Sequence, residues 1–150
     1  MIKTVVLYGT ESGNAEMVAE DLVDELGSDY DAHSEDMTDF DLADFDPDDF
    51  YIIVCSTHGE GELPTSAQPF HAALEAQSPD LTGYRYAVFG LGDSSYEFYS
   101  HGSERIDEKL TELGAERVGV YGRHDASDGS LPNDDALEWL RKLTAEFIPA

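Results

Sequence analysis

Basic residues are scarce in this 150-residue chain. Eight lysines and arginines stand against 33 aspartates and glutamates, for a formal net charge of −25 and a pI near 4.1. Such a balance argues against nucleic-acid binding, which needs Lys and Arg at the phosphates, and against docking on anionic membranes. Cysteine occurs once, at Cys55, so no intrachain disulfide and no cysteine metal cluster can form. Cys55 closes an apolar run and reads as a small buried side chain. No apolar run approaches the ~18 residues of a membrane helix. The opening MIKTVVLYG also lacks a signal-peptide layout, because its short apolar run leads straight into a loop. The expectation is a cytoplasmic protein. Two nucleotide motifs are missing as well. There is no G-x-G-x-x-G, and Asn14-Ala15 stands where a hydrolytic phosphate loop would carry Lys-Ser/Thr. Calcium-loop spacing is absent too. Asp36 to Asp49 reads as a solvated acidic loop, and Asp125-x-Ser127-x-Gly129 meets Ala136 where a bidentate Glu is needed.

What the chain does have is a 41% hydrophobic content with a mean hydropathy of −0.39, which suits one globular domain with a real core. Strand-like runs at about Thr4–Tyr8, Tyr30–Glu35, Tyr51–Cys55, Tyr86–Phe89 and Glu116–Tyr121 alternate with helix-like runs. The helices are expected at about Gly13–Leu26, Ser66–Ala76, Gly102–Leu113 and Asp134–Phe147. Tyr51-Ile52-Ile53-Val54-Cys55 is continuously apolar, as in a parallel strand covered on both faces. Repeated strand–helix units predict an α/β, three-layer architecture with a parallel sheet between helices. Ligands in such sheets bind beyond the carboxyl ends of the strands. Acids fall on every inferred helix, so two readings of the charge stay open. One is a surface adapted to high salt, where screening removes self-repulsion; the other is steering towards a basic protein partner.

Glycines gather in the loops after the first, third and fourth strands. The first, Tyr8-Gly9-Thr10-Glu11-Ser12-Gly13-Asn14-Ala15, joins a strand to a helix through hydroxyls, glycines and an amide. Free N–H groups at a helix start, with short hydroxyl side chains, can hold a phosphate without any cation. The same residues would also make an ordinary turn with Thr10 or Ser12 as a cap. The second loop, Ser56-Thr57-His58-Gly59-Glu60-Gly61-Glu62-Leu63-Pro64, has glycines that admit close approach of a flat ligand and a peptide that turns at low cost. His58 could stack, donate a hydrogen bond or simply be solvated. The third, Gly90-Leu91-Gly92-Asp93-Ser94-Ser95-Tyr96-Glu97-Phe98-Tyr99, carries three aromatics. Tyr96 can stack on a π-system, while Phe98 and Tyr99 suit packing.

Together the three loops resemble the flavodoxin-like FMN domains over nearly the whole chain. The T-x-S/T-G-x-A loop, the S-T-x-G-E-G loop and the F-G-L-G-D-x-x-Y loop before a helix ending L-G-A carry the likeness. Loops two and three are similar to the FMN domains of cytochrome P450 reductase and sulfite reductase. Ser56-Thr57-His58-Gly59 and Pro79-Asp80-Leu81 are similar to the short MioC-type flavodoxins. Strand five carries no ~20-residue insertion, as in the short-chain class. The resemblance implies five parallel strands in the order 2-1-3-4-5. It implies that Thr10, Glu11 (through its backbone), Ser12, Gly13, Asn14 and Ala15 cradle the FMN phosphate. Ser56, Thr57, His58, Gly59 and Gly61 would border the isoalloxazine. Leu91, Gly92, Asp93, Tyr96, Phe98 and Tyr99 would form its other wall, and Asp125 would lie near the flavin. His58 departs from the Tyr or Trp of many relatives, and Asn14 from the usual Thr. The implied function is a low-potential, monomeric one-electron carrier between a reductase and acceptor proteins. It needs no catalytic acid, nucleophile or metal. Two rivals bear on this. A small FMN-dependent quinone or nitro reductase would need length for a substrate pocket. A phospho-receiver domain would need an acidic pair after strand one and a Lys after strand five, where Tyr8-Gly9-Thr10 and Gly122-Arg123-His124 stand.

Overall fold

Strands and helices alternate along the chain: β1 (Thr4–Gly9), α1 (Asn14–Leu26), β2 (Ala32–Asp36), β3 (Phe50–Ser56), α2 (Gln68–Gln77), β4 (Arg85–Gly92), α3 (His101–Glu112), β5 (Glu116–Arg117), β6 (Gly122–Asp125) and α4 (Pro132–Glu146). The computed structural model describes residues 3–9, 14–46, 48–56, 67–92, 101–119, 121–125 and 132–146. All strand pairs are parallel, in the order β2-β1-β3-β4-β5, with β6 also paired to β4. The order expected from the resemblance is the order observed.

The central strands are apolar on both faces because both faces are covered. Val5 and Leu7 of β1, Tyr51 and Ile53 of β3, and Tyr86 and Val88 of β4 face α2 and α3, meeting Phe70, Leu74, Ile106 and Leu110. Their neighbours Val6, Phe50, Ile52, Val54, Ala87 and Phe89 face α1 and α4. Side chains alternate across a strand, so one continuous run feeds two cores. On α1, Ala15, Val18, Ala19, Leu22 and Leu26 are all buried, one stripe at helical spacing. Burying each of Val18, Leu22 and Leu26 contributes about 1.5–3 kcal/mol.

Strand five departs from its expected run at Glu116–Tyr121. β5 pairs Glu116 and Arg117 with Arg85 and Tyr86, and β6 pairs Gly122 with Phe89. Between Arg117 and Gly122 the sequence has four residues where β4 has only Ala87 and Val88, two more than an unbroken register would need. Gly119 sits among them at φ +77°, a backbone state that favours glycine. Because the insertion is even, the alternation of faces survives: Val118 packs on the α1/α4 side and Tyr121 on the α2/α3 side. Gly122-Arg123-His124 is thus strand, not the loop beyond it.

The acidic tract is not wholly solvated. Met37, Phe40 and Leu42 are buried, and Phe45 packs against the same core. Phe40 and Phe45 meet edge to face at 4.9 Å, and Phe45 meets Tyr51 at 5.1 Å. The aspartates between them close turns: Asp36 accepts from the Thr38 N–H at 2.8 Å, Asp41 from Ala43 at 2.9 Å and Asp46 from Asp48 at 2.9 Å. Solvated acids and apolar anchors share one segment. Among the described residues no helix is long and apolar enough to cross a membrane.

Candidate functional site

The register lines up four strand ends. Gly9 of β1 is level with Cys55 of β3, Ser56 is level with Leu91 of β4, and Gly92 is level with Asp125 of β6. β4 runs on to Gly92, past the expected end at Phe89, because main-chain pairing with β3 needs no side chain at Gly90. β1 and β3 are neighbours whose connections part: α1 carries the chain out to β2, while α2 leads to β4 on the opposite face. This is the switch point where α/β sheets hold ligands. Helix α1 starts at Asn14, with only residues 10–13 between it and Gly9. Its first-turn N–H groups, which have no partner within the helix, therefore lie at this edge of the sheet.

The structure brings together the anchors of the sequence-derived site. Asn14 opens α1, Ser56 ends β3, Gly92 ends β4 and Asp125 ends β6. The side chains of Ala15 and Leu91 are packed in the α1/α4 core, at 0% and 5% exposure, so each can meet a ligand only through its main chain. Thr10, Glu11, Ser12, Gly13, Thr57, His58, Gly59, Gly61, Asp93, Tyr96, Phe98 and Tyr99 lie outside the described residues.

Charge of both signs lies near this edge: Arg123 and His124 of β6 stand level with Gly90 and Leu91 of β4. Several cations belong to the far, amino end of the sheet: Lys3 precedes β1, Arg85 opens β4, and Arg117 closes β5. Arg117, Lys109 and Arg141 are each engaged with a carboxylate. Arg117 contacts Asp107 at 2.7 Å, Lys109 contacts Glu112 at 2.9 Å and Arg141 contacts Glu25 at 3.1 Å. Beside the end of β1 the neighbours are acids. The Tyr8 phenol is pushed above its usual range by burial first, then by Glu16, Asp36, Glu20 and Asp39. A shallow groove lined by Asp107, Thr111, Glu116 and Arg117 lies at the amino end, remote from the strand tips.

Cys55 is fully buried, and burial pushes its thiol up to about 12. It is packing, as expected, and not a reactive group. Among the described residues no cluster of His, Cys, Asp and Glu could hold a metal ion. The fold adds a close contact at the end of β1. Gly9 is buried where Met37, Cys55 and Ala67 converge, and a Cβ there would stand 2.8 Å from Ala67 Cβ. Its only signal in the sequence is a glycine at the end of an otherwise apolar strand.

Comparison with known proteins gives a consistent picture. The family model described as flavodoxin matches residues 6–139. The Protein MioC of Escherichia coli strain K12 is 30% identical over 93% of this chain and 95% of its own length. The sulfite reductase [NADPH] flavoprotein alpha-component of Bacillus subtilis is 37% identical over 92% of this chain and 22% of its own. The chain spans between 8% and 22% of the first relatives it matches, which are much longer proteins. Among solved structures, a point mutant of flavodoxin from Pseudomonas aeruginosa is similar at a TM-score of 0.85 and 34% identity, covering 96% of this chain and 97% of that one.

Proposed function

The chain belongs to the flavodoxin family, whose cofactor is FMN, and we propose that it is a one-electron carrier that passes electrons from a reductase to acceptor proteins. The observation that carries this reading is the meeting of glycine-ended strands and the start of α1 at one switch point, with the end of β1 set among acids. The donor chemistry fits FMN. A loop of hydroxyls, an amide and helix-start N–H groups suits a phosphate, and glycine-flanked strand ends suit a flat ring. Bound FMN would supply the redox chemistry.

The protein's part is to hold and tune. Thr10, Ser12, Gly13, Asn14 and Ala15, with the Glu11 main chain, grip the phosphate. Ser56, Thr57, His58, Gly59 and Gly61 border the ring on one side. Leu91, Gly92, Asp93, Tyr96, Phe98 and Tyr99 border it on the other, with Asp125 nearby. The surrounding acids would disfavour the negative charge that full reduction leaves on a flavin at neutral pH. A penalty of ~1.4 kcal/mol lowers a one-electron potential by about 59 mV, so the potential is low. No residue acts as nucleophile or general acid, and no substrate is turned over. The protein works as a monomer in the cytoplasm. Its acids serve salt tolerance and steer a basic partner to the strand-end edge.

The test is the visible spectrum of the purified protein with excess FMN, followed by NAD(P)H addition. Flavin bands that stay oxidised until a separate reductase is added support a carrier. Steady NAD(P)H oxidation by the protein alone would make it a reductase with its own substrate.

A further inference from the structure

We infer that Gly9 is a positioning residue for the cofactor: by having no side chain it lets the start of α2 close on the end of β1, which sets the spacing between the phosphate-binding and ring-binding stretches. The inference rests on the FMN reading and deepens it. Gly9 is not among the glycines at positive φ, so its backbone does not require glycine; the space around it does. A Cβ built there would lie 2.8 Å from Ala67 Cβ, 3.0 Å from Met37 Sδ and 3.3 Å from Cys55 Sγ. These atoms belong to three different segments that converge on one residue. Met37 is tied to the same strand end, its N–H donating to the Tyr8 carbonyl at 3.0 Å. Its thioether is a flexible tip that can give way. Ala67 is different, because its Cβ is fixed to the backbone. Ala67 is fully buried at the entrance to α2, whose Phe70 and Leu74 are locked in the core. A side chain at Gly9 would therefore drive the root of α2 away from β1.

Each side of that contact leads directly into one of the two stretches. Residues 10–13, assigned to the phosphate, spring from Gly9, and residues 57–66, which carry part of the ring border, end at Ala67. FMN must satisfy both stretches at once. Riboflavin has the same ring and no phosphate, so it depends on the ring stretches alone. Displacing one root from the other separates the two ligands, which a general loss of stability does not do.

The experiment is titration of the apo-protein with FMN and with riboflavin in molar KCl, for wild type, Gly9→Ala, Ala67→Val and Gly9→Ala/Ala67→Gly. Gly9→Ala is expected to weaken FMN about tenfold and riboflavin by under about threefold. Ala67→Val crowds the same contact from the α2 side and should reproduce that pattern. It decides the matter if Gly9→Ala does not fold. Ala67→Gly removes the opposing Cβ, so the double variant should regain most of the FMN affinity. Equal losses for both ligands, or no loss in either single variant, would overturn the positioning role while leaving the FMN reading intact. A wild-type protein that binds neither ligand would overturn the FMN reading itself, and this inference with it.

Discussion

Tyr86→Phe isolates one polar tie inside an otherwise apolar core. Tyr86 is 2% exposed, and its hydroxyl donates to Asp107 Oδ1 at 2.6 Å, with Thr111 Oγ1 2.8 Å away. Asp107 Oδ2 in turn accepts from Arg117 at 2.7 Å. The chain of contacts braces β4 to α3 and α3 to β5, a strand with only two paired residues. A hydrogen bond to a charged acceptor is worth about 1.5–3 kcal/mol, and the ring itself stays in place in the variant. For a chain of this size that corresponds to a fall in Tm of about 4–10 °C. Tyr84→Phe is the control. Tyr84 lies nearby on the chain and loses only a long contact of 3.4 Å to the Phe45 carbonyl, so under about 0.5 kcal/mol is expected. Urea melts of both variants in molar KCl, followed by circular dichroism, compare the two directly. Equal costs for the two substitutions would refute the reasoning, because packing alone would then account for both.

Two further predictions concern stability. The Thr4 hydroxyl is fully buried without a hydrogen-bond partner in the described structure, so Thr4→Val keeps the shape and should stabilise by about 1 kcal/mol, read as a higher urea midpoint. The second concerns alkaline pH. Burial raises Cys55 from 9.0 to about 12 and Tyr51 from 10.0 to about 12. A raised folded pKa means stability that is whole below the unfolded value and lost as pH climbs towards the folded one. Tm should therefore hold to about pH 9 and fall steadily between about 9 and 12. Cys55→Ala should soften the onset of that fall, and an unchanged Tm between pH 8 and 11 would contradict the assignment.

Most of the fold was legible because its signals are local. Val5 to Leu7 and Tyr51 to Cys55 are apolar without a break, and Val18, Leu22 and Leu26 repeat at helical spacing. Strand five misled because its two extra residues preserve the alternation. Val118 and Tyr121 each reach the correct face, so no irregularity marks the break at Gly119. In the acidic tract Met37, Phe40, Leu42 and Phe45 follow neither period, each being anchored singly between turn-forming aspartates. The meeting of the strand ends at a switch point was legible from the alternation of strands and helices, whereas the roles read from the three loops concern residues that lie mostly outside the described ones. Gly9 was not legible as a contact, because Met37, Cys55 and Ala67 reach it from separate parts of the chain and only the folded sheet assembles them.

On the proposed reading, uncharged donors at the start of α1 hold an anionic phosphate inside a protein of net charge −25. Helix-start N–H groups contribute about 0.3–1 kcal/mol per favourable charge placement, up to about 2 when partly buried, while the surrounding acids oppose the phosphate from further away. Salt screens distant charges far more than contacts inside the site. The direct measurement is the FMN dissociation constant between about 0.1 and 2 M KCl, with riboflavin alongside. FMN is expected to bind more tightly as salt rises, and riboflavin to change much less. FMN binding that weakens with salt would contradict that reading, since it is the mark of a phosphate held by cations.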